Sequence, residues 1–132
     1  MLNGDDPIVR GFGARTRARV VRYGLADDVD VRATDVRSLG AAGMAFTLVS
    51  GDARAELAIP VLGRHSVSNA AGAAAVGLAA GLDLASIAVA LGRGWGAAHR
   101  VEVVDLGRYR ILDDTYNASP PSMLAALEVL AA

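Results

Sequence analysis

Between Val20 and Leu62 the apolar residues fall into short runs, VVRYGL, VDVRATDV, MAFTLVSG and RAELAIPVL, rich in β-branched side chains and separated by Gly, Asp and Ala. Such runs predict successive β-strands. Gly51 and Asp52 stand between the last two, so MAFTLV and AELAIPVL are predicted to pair as an antiparallel hairpin. The alternation in AELAIPV predicts one wet face. At Gly63 the pattern changes: RHSVSNAAGAAAVGLAAGL has the small and apolar residues of a closely packed helix, Gly81 is a stop signal, and a second helix is predicted from Asp83. GRGWGAAHR, residues 92–100, has no clear period and reads as a linker, with a domain boundary between residues 98 and 99. Beyond it VEVVDL and YRIL read as two strands joined through Gly107, and PPSMLAALEVLAA as a helix begun by proline. The predicted fold class is α/β: strands with a hairpin and a helical pair over 1–98, then the strand-loop-helix opening of a second domain over 99–132.

Composition narrows the classes. A chain of 132 residues, 53% hydrophobic with a formal net charge of -1, can bury a sizeable core, and its few aromatics leave that core to small side chains. There is no cysteine, which excludes disulfides, thiolate metal sites and thiol redox chemistry and agrees with a reducing cytoplasm. The start MLNGDDPIV lacks the basic and apolar regions of a signal peptide. VSNAAGAAAVGLAAGLDLASIAVALG is broken by Asn69, Asp83 and glycines, so it reads as a packed helical pair and not as a membrane span. All thirteen basic residues are Arg. Arg10, Arg15, Arg17, Arg19 and Arg22 form a run without interleaved aromatics, which reads as a solvated face and not as a nucleic-acid surface.

Two clusters carry candidate chemistry. In ILDDTYNASPPSM, residues 111–123, Asp113 and Asp114 follow a strand directly, the place where open α/β sheets gather ligands. Side chains alternate along an extended chain, so one carboxylate should face inward and the other the crevice. A carboxylate there can accept both hydroxyl protons of a ribose; alternatively, Asp113 or Asp114 starts a turn and Ser119 caps the helix, with Pro120 at its first position. In GRHSVSN, residues 63–69, His65 and Asn69 are four apart and share a face near a helix N-terminus, which attracts phosphate, while Asn69 can read an adenine edge. Alternatively, Ser66 is the N-cap and Asn69 its capping-box partner, and His65 is a hydrogen-bonded structural histidine. With no nearby Cys or second His, a protein-only zinc site is not expected. Arg100 either reaches a phosphate across the boundary or pairs at the surface with Glu102 or Asp105.

Taken in order, NGDDP, LGRHSVSNAAGAAAVGLAAGL and HRVEVVDLGRYRILDDTYNASPPSMLAALEVL resemble the Mur ligase family, ATP-dependent enzymes that add amino acids to the peptidoglycan precursor. The likeness covers nearly the whole chain. Within the family, DDxYNAxPxSMxAAL points to the branch that joins D-alanyl-D-alanine to a UDP-N-acetylmuramoyl-tripeptide. The resemblance implies a three-domain cytoplasmic ligase using ATP and Mg2+, of which residues 1–98 are the late central ATPase domain and 99–132 the opening of a Rossmann-like C-terminal domain. It implies that Asn69 contacts the adenine, Arg100 approaches the phosphates, Asp114 holds the ribose hydroxyls and His65 lies beside the pocket. Tyr116 and Asn117 would belong to the hinge-side loop that meets nucleotide and substrate.

This sequence also departs from the family pattern. It has no GxxxxGK[ST] loop and no Lys for a phosphate cradle or a carbamylated metal bridge, so both are expected upstream of Met1 and the chain alone is expected to be inactive. Ser66 and Ser119 stand where the family usually has Asn, and GRGWGAAHR replaces a shorter PGR form. Two other readings remain at this point: a stand-alone module that binds a nucleotide or protein without catalysis, and a magnesium hydrolase using Asp113 and Asp114.

Overall fold

In the structure, a computed structural model that describes residues 1–96 and 99–131, five strands form one sheet in sequential order: β1 (Leu2–Asn3), β2 (Arg22–Gly24), β3 (Val31–Ser38), β4 (Met44–Ser50) and β5 (Ala53–Ile59). β1, β2 and β3 run parallel, while β3, β4 and β5 are antiparallel neighbours. The predicted hairpin is present. Ser50 pairs with Ala53, leaving Gly51 and Asp52 as the connection, with Gly51 at φ +57°. A glycine in the first position of such a turn follows the right-handed twist of the strands without a Cβ clash.

β1 and the short helix α1 (Pro7–Arg10) were not predicted. The NGDDP segment holds them together. Asn3 Oδ1 accepts the Asp5 N–H at 2.9 Å, Asp6 caps α1 by accepting from Ile8 N at 2.8 Å and Val9 N at 3.0 Å, and Asp5 accepts from Leu25 N and Ala26 N, each at 2.9 Å. These backbone donors lie at a helix start and beyond a strand end, where side chains replace missing ladder partners.

Helices α2 (Arg64–Ala79) and α3 (Leu84–Gly92) cover the sheet. On α2, Val67, Ala70, Ala71, Ala74 and Ala75 are buried, the three-and-four spacing of one helix face. They meet Val31 and Ala33 of β3, Phe46 and Leu48 of β4 and Ile59 of β5, with Leu84 and Ile87 from α3 completing the cluster. Small side chains let the helix approach closely: a Cβ placed on Gly72 would lie 3.0 Å from Tyr23 Cε2. Gly81, at φ +88°, ends the first helix as predicted, and Asp83 caps the second by accepting from Ser86 N at 2.8 Å.

The start of α2 corrects one reading. Ser66 is not the N-cap: Gly63 holds that position at φ +84°, and Ser66 is buried in the first turn with its hydroxyl donating to Leu62 O at 2.7 Å. Asn69 is therefore a full turn inside the helix and forms no capping box. After α3, Gly94 packs on Pro60; the predicted boundary at residue 98 falls beside Ala97 and Ala98, which lie outside the described residues. β6 (Glu102–Asp105) and β7 (Arg110–Asp113) then form a separate antiparallel pair, joined through Gly107 at φ +77°, and α4 (Pro120–Ala131) begins at Pro120.

Two glycines with positive φ make contrasting tests. A Cβ at Gly43, φ +113°, would lie 2.0 Å from Ile59 O and 2.9 Å from Pro60 Cα, whereas a Cβ at Gly51 meets nothing within 4 Å. Gly51→Ala should cost only the left-handed backbone penalty, roughly 1–2 kcal/mol. Gly43→Ala adds a backbone collision and should cost more, roughly 3 kcal/mol or above. Urea midpoints of the two variants check the order, and equal losses would contradict the packing of β4 against the end of β5.

Candidate functional site

β7 ends at Asp113 and Asp114 follows it directly, and the structure gives the two carboxylates different partners. Asp113 Oδ1 accepts from Thr115 N at 3.1 Å and from the Thr115 hydroxyl at 2.8 Å, while its Oδ2 lies 2.8 Å from His99 Nδ1. This is the local turn that Asp readily makes. Asp114 Oδ1 accepts from Val101 N at 3.2 Å, and Asp114, unlike Asp113, lines a cavity of about 410 Å3. Asp113, the last residue of β7, is thus taken up by Thr115 and His99, while Asp114, just past the strand, turns to the cavity.

The same cavity is lined by His65 from α2, Arg100 from the end of the linker, Tyr116 and Asn117 from the loop after β7, and Ser119 just before α4. Asn69 is not in its wall; it is exposed one turn farther along α2, on the face of His65. The guanidinium of Arg100 stacks on the Tyr116 ring, 4.1 Å from its centroid. Among the described residues it pairs with neither Glu102 nor Asp105, which sets aside the predicted surface ion pair.

Residues 99–101 have an unusual backbone. His99 and Val101 are left-handed, at φ +62° and φ +50°, a conformation that is costly for a β-branched residue. Hydrogen bonds to the 113–116 loop hold both positions: Tyr116 N–H donates to His99 O at 3.1 Å, beside the bonds to Asp113 and Asp114 already given. Sequence reasoning singled out neither His99 nor Val101. Their only signal was adjacency to Arg100, because a contact across fourteen residues has no local spacing rule.

Across the cavity, His65 lies over the turn that opens α2. A Cβ on Gly63 would be 2.6 Å from His65 Cε1 and 3.3 Å from Val129 Cγ2 of α4, so the glycine leaves room for both. The start of α4 is closed upon itself: Ser119 Oγ accepts from Ser122 N at 3.3 Å, Ser119 N donates to Ser122 Oγ at 2.9 Å, Met123 N donates to Ser119 O at 2.9 Å and Ala118 N donates to Asn117 Oδ1 at 2.8 Å. The predicted cap is present, with Ser119 before Pro120.

The two histidines titrate in opposite directions. Loss of water around the His65 ring holds its pKa below the ordinary 6.5, against the upward pull of the Asp114 carboxylate. His99 is raised above 6.5 by its hydrogen bond to Asp113 and by that carboxylate's charge. Asp113 is held low by the His99 bond and by Thr115.

A larger cavity, about 670 Å3, lies between Val36 and Met44 of the sheet and Ile111 and Val129 farther along the chain. None of the predicted site residues lines it. The larger cavity also has charged walls, with Glu128, Arg64, Arg108 and Arg110, but the smaller one is the functional candidate because it brings His65, Arg100, Asp114, Tyr116 and Asn117 together.

For a nucleoside polyphosphate the donor set fits. Among the described residues Asp114 Oδ2 has no hydrogen-bond partner, leaving acceptor capacity for hydroxyl protons, and Arg100 is the one Arg in the wall. Among the described residues no group of three or more His, Asp or Glu is placed to hold a metal ion by itself. No helix among them is long and apolar enough to cross a membrane.

Comparison with known proteins agrees with the fold. Residues 1–77 match the Mur ligase middle domain. The chain is 41% identical to the UDP-N-acetylmuramoyl-tripeptide–D-alanyl-D-alanine ligase of Mycobacterium bovis over 99% of its own length and 26% of that protein. It therefore spans about a quarter of the length of this curated relative. A crystal structure of MurF from Acinetobacter baumannii superposes with a TM-score of 0.86 at 31% identity, over 96% of this chain and 27% of that one. MurF ligase from Thermotoga maritima in complex with ADP shares the fold, with a TM-score of 0.79 at 22% identity over 98% of this chain and 29% of that one. The chain belongs to the Mur ligase family.

Proposed function

We propose that this chain supplies one wall of the nucleotide site in a cytoplasmic, ATP-dependent amide ligase of peptidoglycan precursor synthesis. The carrying observation is the meeting of Asp114 and Arg100 in one cavity of about 410 Å3. Asp114 accepts the ribose hydroxyls, and Arg100 donates to phosphate, each through a charge-assisted hydrogen bond. In the overall reaction ATP phosphorylates a carboxylate with release of ADP, and the amine then displaces phosphate from the acyl phosphate; Mg2+, when bound, would neutralise phosphate charge. The residues of this chain bind and orient. They include no Lys, so a lysine phosphate contact comes from elsewhere in the complete ligase.

The substrates we assign are UDP-N-acetylmuramoyl-tripeptide and D-alanyl-D-alanine. Supporting this are the 41% identity with the mycobacterial relative across nearly the whole chain and the segment DDTYNASPPSM. We further assign residues 1–98 to the central domain and 99–132 to the start of the C-terminal domain, supported by the two separate sheets. Limited proteolysis should then cut first within 92–99; cleavage inside β3 to β5 with that segment protected would contradict the division.

In the complete ligase, Asp114→Ala should weaken ATP binding by roughly 1.5–3 kcal/mol, about ten- to more than a hundredfold, with folding intact. Asp113→Ala should lower the urea midpoint with a smaller effect on ATP, because its bonds go to Thr115 and His99. Isothermal titration of both variants decides, and an inverted pattern would mean that Asp113 holds the nucleotide. Submillimolar ATP affinity of the 132-residue chain by itself would favour the non-catalytic binding module.

The histidines give a pH signature. A depressed His65 adds stability fully present above 6.5 and lost as pH falls through its lowered pKa; a raised His99 adds stability fully present below 6.5 and lost as pH rises through its raised pKa. Histidine ring NMR should show His65 titrating below 6.5 and His99 above it. Asp113→Asn should return His99 toward its ordinary value, and Asp114→Asn should lower His65 further. The reverse order in the wild type would exclude this geometry.

A further inference from the structure

We infer that Tyr116 is a positioning residue for Arg100: its ring fixes the plane of the guanidinium so that the N–H donors stay available to an anion in the cavity. The inference rests on reading Arg100 as the phosphate-binding group. A guanidinium 4.1 Å from a ring centroid is in face contact, and stacking leaves its in-plane donors unused at the rim. An ion pair would occupy those same donors, and among the described residues Arg100 has none.

The backbone does the rest of the placement. Bonds from Tyr116 N–H to His99 O and from Val101 N–H to Asp114, with the His99–Asp113 contact, tie both neighbours of Arg100 to the loop that carries Tyr116. They locate its Cα but leave the long side chain free to rotate. Among the described residues only the ring contact acts on the guanidinium itself. Asp114, Arg100 and Tyr116 therefore form a single unit in which one loop presents the hydroxyl acceptor and aims the anion donor. Tyr116 acts on the phosphate through Arg100, whereas a direct contact with nucleotide or substrate would need its hydroxyl or an open ring face.

Isotope-labelled samples of the complete ligase test this by NMR, titrated with millimolar ATP and, separately, adenosine. In the wild type and in Tyr116→Phe the Arg100 Cδ protons should be shifted upfield by the ring, and Tyr116→Leu should abolish the shift. ATP should bind Tyr116→Leu about two- to fivefold more weakly than the wild type, as expected for an exposed stack, with Tyr116→Phe unchanged. Adenosine affinity should be the same in all three. Tyr116 is 63% exposed, so folding should hold, which the urea midpoints verify. Equal loss in Phe and Leu variants, weakening of adenosine alongside ATP, or no change with Leu would each overturn the inference while leaving the nucleotide reading in place. Absence of any ATP- or adenosine-induced shift around Asp114 in the wild type would overturn that reading and this inference with it.

Discussion

The fit of a methyl-lined helix face against the sheet governs the rest of the molecule. Because α2 meets β2, β3 and β4 mainly through alanines, its backbone lies close to the strands, and Gly72 takes the place that any larger residue would need against Tyr23. Close packing fixes the helix along its axis as well as across it. Gly63, reached within four residues of the end of β5, opens α2 at a defined spot, and His65 is delivered to the cavity without any polar anchor of its own on the sheet.

The opposite wall is built differently. It has few buried side chains and depends on hydrogen bonds between two short segments, 99–101 and 113–116. Left-handed His99 and Val101 persist there because the surrounding bonds over-determine them. One wall is set by van der Waals packing and the other by polar stitching, so the two respond to different perturbations: volume changes in the core for the first, charge and hydrogen-bond changes at the loop for the second.

The sequence made the regular elements plain and the site only partly so. The hairpin at Gly51 and the stop at Gly81 were readable because each depends on a residue type with a local conformational cause. β1 and α1 span only 2 and 4 residues, too short to show a period, and their stability comes from the distant pairing of Asp5 with residues 25 and 26. Ser66 looked like a cap because serine caps often; a positive-φ glycine three residues earlier had already taken that role. The helical spacing of His65 and Asn69 was sound, yet sharing a face does not bring both to the cavity. Contact between Arg100 and Tyr116 joins sixteen-residue neighbours across a strand pair, and no one-dimensional pattern announces it.

The opening of α4 beside the cavity has one more consequence. Pro120 and Pro121 have no amide hydrogens, and the N–H groups of Ala118, Ser119, Ser122 and Met123 are all engaged within the segment. The positive end of the helix therefore presents a field with no hook: it lowers the energy of negative charge nearby but cannot choose where an oxygen comes to rest. A polyphosphate could slide along that end without meeting a preferred seat. On the proposed reading the choice of register then falls to Arg100, held against Tyr116, which makes the ligand's position a property of one side chain's orientation and not of the helix that frames it.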